Sequence, residues 1–323
     1  MAYRNLDPAH TPHRPTAIFR WGIWEPLVGK RKRTPNGDPA PSVTPDLARV
    51  HEASTRTRLT WLGHAGFLVS FGDRHFLIDP LLSRRVGAVY RNFLPPPLEP
   101  GDWPPIDAVL VTHNHYDHLD RIALNAVPRD VPAIVPQGLG RWFRRWSPRP
   151  VEELAWWQAI DIRGVEISMV PARHWSRRHV FDVNRSHWGG FVLSVRGTSL
   201  YHAGDSAWFD GFREIGRRFP GLDIAMLPIG AYEPGWFMEH HHLNPEQACD
   251  AFLATGAQRF VPMHWGSIRL TDETLAEPIE RVRAWWARNT PQDGRRLSDL
   301  AVGQTLVIES RQPSLVPSSP PPV

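Results

Sequence analysis

Thr112-His113-Asn114-His115-Tyr116-Asp117-His118-Leu119-Asp120 places three histidines and a carboxylate within the six residues from His113 to His118. The segment follows the apolar run Ile106 to Val111, itself preceded by Trp103-Pro104-Pro105. Such a run predicts a buried strand that ends where the potential metal ligands begin. His113 and His115 can point to one side of an extended segment, while Asp117 and His118 can serve a second centre after the turn. Imidazole nitrogen combined with carboxylate oxygen suits zinc and several other divalent metals. The competing reading is a polar loop with chance histidines, since the chain has 16 of them. The spacing H-x-H-x-D-H and the ligand types further along weigh against it.

The elements that must position these residues repeat one arrangement: a strand, a turn and a residue able to hold a metal. Leu59 to Leu62 leads into Gly63-His64-Ala65-Gly66, and a hairpin from Phe67 to Phe71 and His75 to Ile78 ends at Asp79-Pro80. Val165 to Val170 delivers His174, the strands Phe191 to Val195 and Leu200 to His202 deliver Asp205, and Arg259 to Val261 delivers His264. Further strands are expected at Ala133 to Val135, Asp223 to Leu227 and Gln304 to Ile308. Helices are expected from Gly138 to Trp146, around Phe209, Phe212, Ile215 and Phe219, and around Ile279 to Ala287. Asn244-Pro245-Glu246-Gln247 is a capped helix start, with Gly256 as its stop. Taken singly, His174, Asp205 or His264 reads better as solvated or satisfied in the core. With the first motif they complete a set of seven ligand types at strand ends, where scaffolds normally place chemistry. His64 and Asp79 could orient ligands from behind, or serve structure alone. Arg177 and Arg178 could reach a phosphate or be solvated.

A chain of 323 residues, 41% hydrophobic and 11% aromatic, can fill one large domain or two. No stretch approaches the roughly 18 consecutive apolar residues of a spanning helix. The first residues lack the layout of a secretory signal, and the single Cys249 rules out an internal disulfide framework. A cytoplasmic location is the expectation. The formal charge of +4 is small and mostly scattered, so no nucleic-acid partner is expected. Residues 1–57 read as a proline-rich arm. Within it Ala17 to Val28 is aromatic and aliphatic and precedes Lys30-Arg31-Lys32-Arg33. Such a pairing can lie on an anionic membrane surface, giving a peripheral contact through residues 17–33. The sequence favours the other reading, an arm that packs Trp21 and Trp24 on its own domain. Residues 58–310 form the main domain, and 311–323 read as a disordered Pro-Ser tail.

H-x-H-x-D-H followed by distant His, Asp and His, each after a strand, resembles the metallo-β-lactamase superfamily. Thr60-Trp61-Leu62-Gly63-His64-Ala65, Ala203-Gly204-Asp205, Pro228 to Pro234, Trp236-Phe237-Met238, His242 and His264-Trp265-Gly266 extend the resemblance to one family within it. That family is the N-acylphosphatidylethanolamine-hydrolysing phospholipase D enzymes. The resemblance covers roughly residues 58 to 275 and implies an α+β fold. The fold would be an αβ/βα four-layer sandwich, two mixed β-sheets flanked by helices. It also implies two Zn2+ per chain, with manganese, iron or nickel as rivals on ligand chemistry. His113, His115 and His174 would hold one ion, Asp117, His118 and His264 the other, and Asp205 would bridge. The implied reaction is hydrolysis of a phosphodiester, phospholipase D-type, by a hydroxide shared between the metals. Asp117, Asp205 and His242 are the catalytic candidates, with His242 as the acid for the leaving alkoxide. The expected partner is a phospholipid or a smaller diester substrate, and a homodimer is compatible with the chain. A lactonase or other ester hydrolase, a soluble phosphodiesterase and a catalytically idle metal- or lipid-binding module are the alternative functions.

Overall fold

The computed structural model describes residues 2–7, 15–29, 35–52, 54–87, 89–179, 181–289 and 293–308. The basic run Lys30 to Arg33 and the tail 311–323 lie outside the described residues.

Strands β1 (Thr57–Gly63), β2 (Gly66–Phe71) and β3 (Arg74–Ile78) form an antiparallel meander. A small hairpin follows, β4 (Arg85–Val86) with β5 (Tyr90–Arg91). Then β6 (Ala108–Leu110), β7 (Ala133–Pro136) and β8 (Val151–Leu154) add in parallel beyond β3. A second sheet takes β9 (Ala159–Ile162), β10 (Val165–Val170), β11 (Gly190–Val195) and β12 (Thr198–His202) as antiparallel neighbours. It continues in parallel through β13 (Ile224–Pro228), β14 (Arg259–Met263) and β15 (Arg296–Leu297). The chain returns with β16 (Thr305–Ile308), which pairs antiparallel to β1 and closes the first seven-stranded sheet.

Alternation along the strands decides the layers, because successive side chains point to opposite faces. Phe67, Val69, Phe71, Phe76, Ile78, Ala108 and Leu110 enter the cluster that also holds Phe191, Leu193 and Met226 of the second sheet. Leu68, Leu77 and Val109 join the other face, against Leu124 of the helix Arg121–Ala126 and Trp142 and Phe143 of the helix Gly140–Trp146. Helices Gly211–Arg218, Pro245–Thr255 and Glu277–Asn289 cover the second sheet through Phe212, Ile215, Phe252, Ile279 and Val282. Burying each such large apolar side chain contributes about 1.5–3 kcal/mol. The result is the expected α+β sandwich of two mixed sheets with helices outside.

Topology also sets where the ligand types can meet. β1, β3 and β6 run in one direction in the first sheet, since each of the pairs β1–β2 and β2–β3 is antiparallel and β3–β6 is parallel. The same logic aligns β10, β12, β13 and β14 in the second. Their C-terminal ends therefore open at one edge of each sheet. The His264 amide donates to the His64 carbonyl at 2.9 Å, joining the two edges.

The first helices belong to this body. Pro15–Phe19 runs through a π-helical turn, Arg20–Trp24, into Glu25–Leu27. Trp21 stacks on Phe237 with ring centroids 4.9 Å apart, whereas Trp24 is 51% exposed. Of the two tryptophans expected to pack on the domain, only Trp21 does so.

Candidate metal centre

Every ligand type read from the sequence sits just past a strand end, and the local backbone is shaped to put it there. His64, Asp79 and His264 have φ of 52°, 42° and 62°, in the left-handed region that L-residues enter at a cost. Gly204, with φ 61°, turns the chain into Asp205, and a Cβ on it would stand 2.6 Å from the Gly189 carbonyl oxygen. Only glycine fits that approach.

The side chains converge in two groups that share one carboxylate. Donor atoms of His113, His115, His174 and Asp205 all lie within 4.8 Å of one another, as do those of His64, Asp117, His118 and His264. A third set of the same tightness is Asp205, His242 and His264. Asp205 stands between the groups: Oδ2 is 3.8 Å from Nε2 of both His113 and His174 and 3.2 Å from Nε2 of His118. Its Oδ1 is 3.2 Å from Nε2 of His264. Asp117 Oδ2 is 3.5 Å from His118 Nε2 and 3.4 Å from His264 Nε2. The seven residues expected to bind metal are thus brought together, and His242 stands with them, its ring 5.1 Å from that of His174 and 5.5 Å from that of His264.

Partners behind the rings settle which nitrogens face inward. Thr112 Oγ1 donates to Asp79 Oδ2 at 2.6 Å. Its single proton is then committed, so towards His113 Nδ1, 3.0 Å away, it accepts. His118 Nδ1 donates to Asp79 Oδ2 at 2.7 Å, and His174 Nδ1 to the His241 carbonyl at 2.9 Å. In all three rings Nδ1 therefore carries a proton and Nε2 is the nitrogen that faces the centre, the orientation of metal-ligating histidines. His64 donates Nε2–H to Asp117 Oδ2 at 2.8 Å, which orients that carboxylate.

The electrostatics match a cation site. Burial, reinforced by neighbouring imidazoles, pushes His115 down to about 3 and His113 well below the ordinary value, and burial with help from His118 and His264 outweighs Asp205 to hold His174 at about 4. These rings are neutral at physiological pH, the form in which imidazole can bind a metal. Burial works against charge on Asp117 and Asp205, yet His118 and its neighbours hold both well below the carboxylate range. The same carboxylates overcome burial to raise His118, and His264 to about 9. Two buried anions ringed by imidazoles call for positive charge at their centre. His115 faces the centre with Nδ1, 2.8 Å from His113 Nε2 and 3.2 Å from His174 Nε2, and His118 Nε2, His264 Nε2 and Asp205 Oδ1 are buried without a hydrogen-bond partner. Such orphaned atoms are costly unless something else binds them, and the donor set fits divalent metal.

Sequence reasoning missed other parts of the centre. The His241 carbonyl is a backbone group and carries no side-chain signal. Asn5, far away in the chain, pairs with the backbone of His174. Arg178, read as facing phosphate or solvent, is instead buried beneath the ligand loop; Tyr116 and Trp146 stack on it.

Comparison with known proteins agrees with this architecture. Residues 74–265 match the family model of the β-lactamase superfamily domain. An isothiocyanate hydrolase from Delia radicum gut bacteria shares the fold, with TM-score 0.64 and 21% identity over 78% of this chain and 99% of that one. The chain belongs to the metallo-β-lactamase superfamily. It is 33% identical over 240 residues to a metal-dependent hydrolase of Methanoculleus marisnigri, covering 70% of this chain and 89% of the relative. It is also 33% identical over 242 residues to N-acyl-phosphatidylethanolamine-hydrolyzing phospholipase D 1 of Caenorhabditis elegans, 69% of this chain and 68% of that protein. The chain is a metal-dependent hydrolase of this fold, related to the N-acylphosphatidylethanolamine-hydrolysing phospholipases D. Among the described residues no helix is long and apolar enough to cross a membrane.

Proposed function

We propose that the chain is a dinuclear zinc phosphodiesterase that cleaves N-acylphosphatidylethanolamine-like lipids in the manner of a phospholipase D. The observation that carries this reading is Asp205, whose two oxygens face two adjacent donor groups. In this reading His113, His115 and His174 would hold one ion and Asp117, His118 and His264 the other, with Asp205 within reach of both. When bound, such a pair supplies Lewis acidity to a phosphoryl oxygen and lowers the pKa of a shared water. The lipid class comes from the relationship to the worm phospholipase.

The chain's own residues have separate tasks. Asp79, Thr112 and the His241 carbonyl keep the imidazole lone pairs aimed inward. His64 holds Asp117. His242 is 7% exposed and its Nδ1 has no hydrogen-bond partner. Burial pushes it well below the ordinary histidine range, against the pull of Asp205, so it rests neutral. A neutral imidazole there takes the proton lost by the attacking water and passes it to the leaving oxygen. A P–O bond forms to the water oxygen as the bond to the ethanolamide oxygen breaks, leaving phosphatidic acid and an N-acylethanolamine.

A lipid substrate has to be met at an interface, and the first helices offer a face for it. Phe19, Ile23 and Trp24 are about half exposed and Leu27 is 77% exposed, while Ala17 and Trp21 pack inward beside Phe237 and Met238. Met238 accepts the amide of His242 on its carbonyl at 3.0 Å, so this helical segment stands one contact away from the centre. In this reading the exposed face lies in the headgroup region of a bilayer. The test of the function is product analysis with N-acylphosphatidylethanolamine in mixed micelles. Release of N-acylethanolamine and phosphatidic acid, lost in Asp205→Asn, is the expected result. Turnover of carboxyl esters or lactones with no phosphodiester cleavage would overturn it.

A further inference from the structure

A buried guanidinium ties the two ligand-bearing loops together. Arg178 is 9% exposed, and its Nη1 donates to the carbonyl oxygens of Asn114, His115 and Leu119 at 3.1, 3.3 and 2.9 Å. Those carbonyls belong to the loop that carries His113, His115, Asp117 and His118. The guanidinium is held over the rings of Tyr116 and Trp146, with centroids 4.2 and 4.7 Å away. Tyr116, from the ligand loop, donates its hydroxyl proton to the Arg178 carbonyl at 2.9 Å. Contacts therefore run both ways between the loop after β6 and the segment after β10. A planar cation that lies over two aromatic rings while one of its nitrogens reaches three carbonyls suits this position; a lysine ammonium, a compact charge on a flexible stem, does not reproduce the stacking.

The other end of the segment is fixed as firmly. Asn5 is 6% exposed; its Nδ2 donates to the His174 carbonyl at 2.8 Å and its Oδ1 accepts the His174 amide at 3.1 Å. The Tyr3 amide donates to the Asn184 carbonyl at 2.8 Å, and the Asn184 side chain accepts the Ser176 amide at 3.0 Å. Between these anchors the Arg178 and His179 amides both donate to Asp182 Oδ1, at 2.9 and 2.7 Å.

We infer that Arg178 and Asn5 are positioning residues that hold His174 in register with the His113–His118 loop and thereby set the affinity of the centre for metal. Neither side chain is among the ligand types. The inference rests on the metal-centre reading, and outer partners of this kind typically control about 10–100-fold in metal affinity.

The experiment compares wild type with Arg178→Lys, Arg178→Met and Asn5→Ala. It measures zinc retention against graded chelator, amide exchange across residues 113–119 and 174–178, and the melting temperature of the chelator-stripped proteins. Zinc retention of the folded protein weakened by about 10–100-fold, with faster exchange concentrated in the two loops, is expected, whatever the fall in stripped-protein melting that the lost buried hydrogen bonds bring. Retention and loop exchange equal to wild type would overturn the inference. So would a fall in melting temperature with unchanged zinc affinity of the folded fraction, the signature of a purely structural role. If the Arg178 variants do not fold, Asn5→Ala decides, since it removes only the two hydrogen bonds to the His174 backbone. Wild type that holds no zinc would contradict the metal centre itself, and loop exchange would still decide the clamp.

Discussion

The Asp79 carboxylate accepts a 2.7 Å hydrogen bond from His118 Nδ1, both side chains being fully buried. The same carboxylate accepts the Thr112 amide at 2.8 Å and the Thr112 hydroxyl at 2.6 Å. One side chain at the end of β3 thus orients His118 directly and His113 through Thr112. Asparagine tolerates the left-handed backbone found here, but it offers one acceptor oxygen where two are used. Asp79→Asn is expected to fold and to lose about 10–100-fold in metal affinity, read by chelator competition. Unchanged affinity would remove Asp79 from the centre.

His242→Ala separates chemistry from assembly. The expected outcome is intact metal content with kcat lowered by about 10²–10⁴-fold, the usual range for a proton-transfer group. A variant with wild-type kcat would show that the proton reaches the leaving oxygen by another route.

The exposed face of the first helices has its own signature. Leu27→Asp, at a position 77% exposed, costs no core packing. It is expected to weaken binding to anionic phospholipid vesicles and turnover of micellar lipid, while hydrolysis of soluble bis(p-nitrophenyl) phosphate stays at the wild-type rate. Equal loss on both substrates would place Leu27 in the fold instead.

The helix Pro245–Thr255 begins with a complete capping box, in which Asn244 Oδ1 accepts the Gln247 amide at 2.8 Å and Gln247 Oε1 accepts the Asn244 amide at 3.1 Å. Asn244→Ala is expected to lower stability by about 1 kcal/mol, seen as a shift of the urea midpoint. No shift would mean that the packing of Phe252 against Phe260 and Trp286 alone sets this helix.

Much of this was legible because the signals are local. The strand before His113 is an unbroken apolar run, the capping box is four consecutive residues, and Gly256 ends that helix with φ 70°. Edge strands were harder: β8 and β9 are half-exposed, with burial that gives no apolar run to find. The helix Arg121–Ala126 spans only six residues, too short for a period to emerge. Within the centre, chain-distant pairings were invisible. Asn5 meets His174 across 169 positions. Arg178 reads as a surface cation in a run of polar residues, and only the folded loop shows three carbonyls converging on it. His64 marked a strand end, but its hydrogen bond to Asp117 depends on β1 and β6 opening at the same edge.

The central claim is that Asp205 joins two metal sites in one buried centre. The most direct measurement is the metal content of purified wild type beside Asp205→Ala, after loading with zinc and removal of the excess. The account predicts about two zinc ions per chain in wild type, as in two-metal hydrolytic sites, and the loss of at least one of them in the variant. A wild type that retains one ion or none, or a variant that retains both, would contradict it.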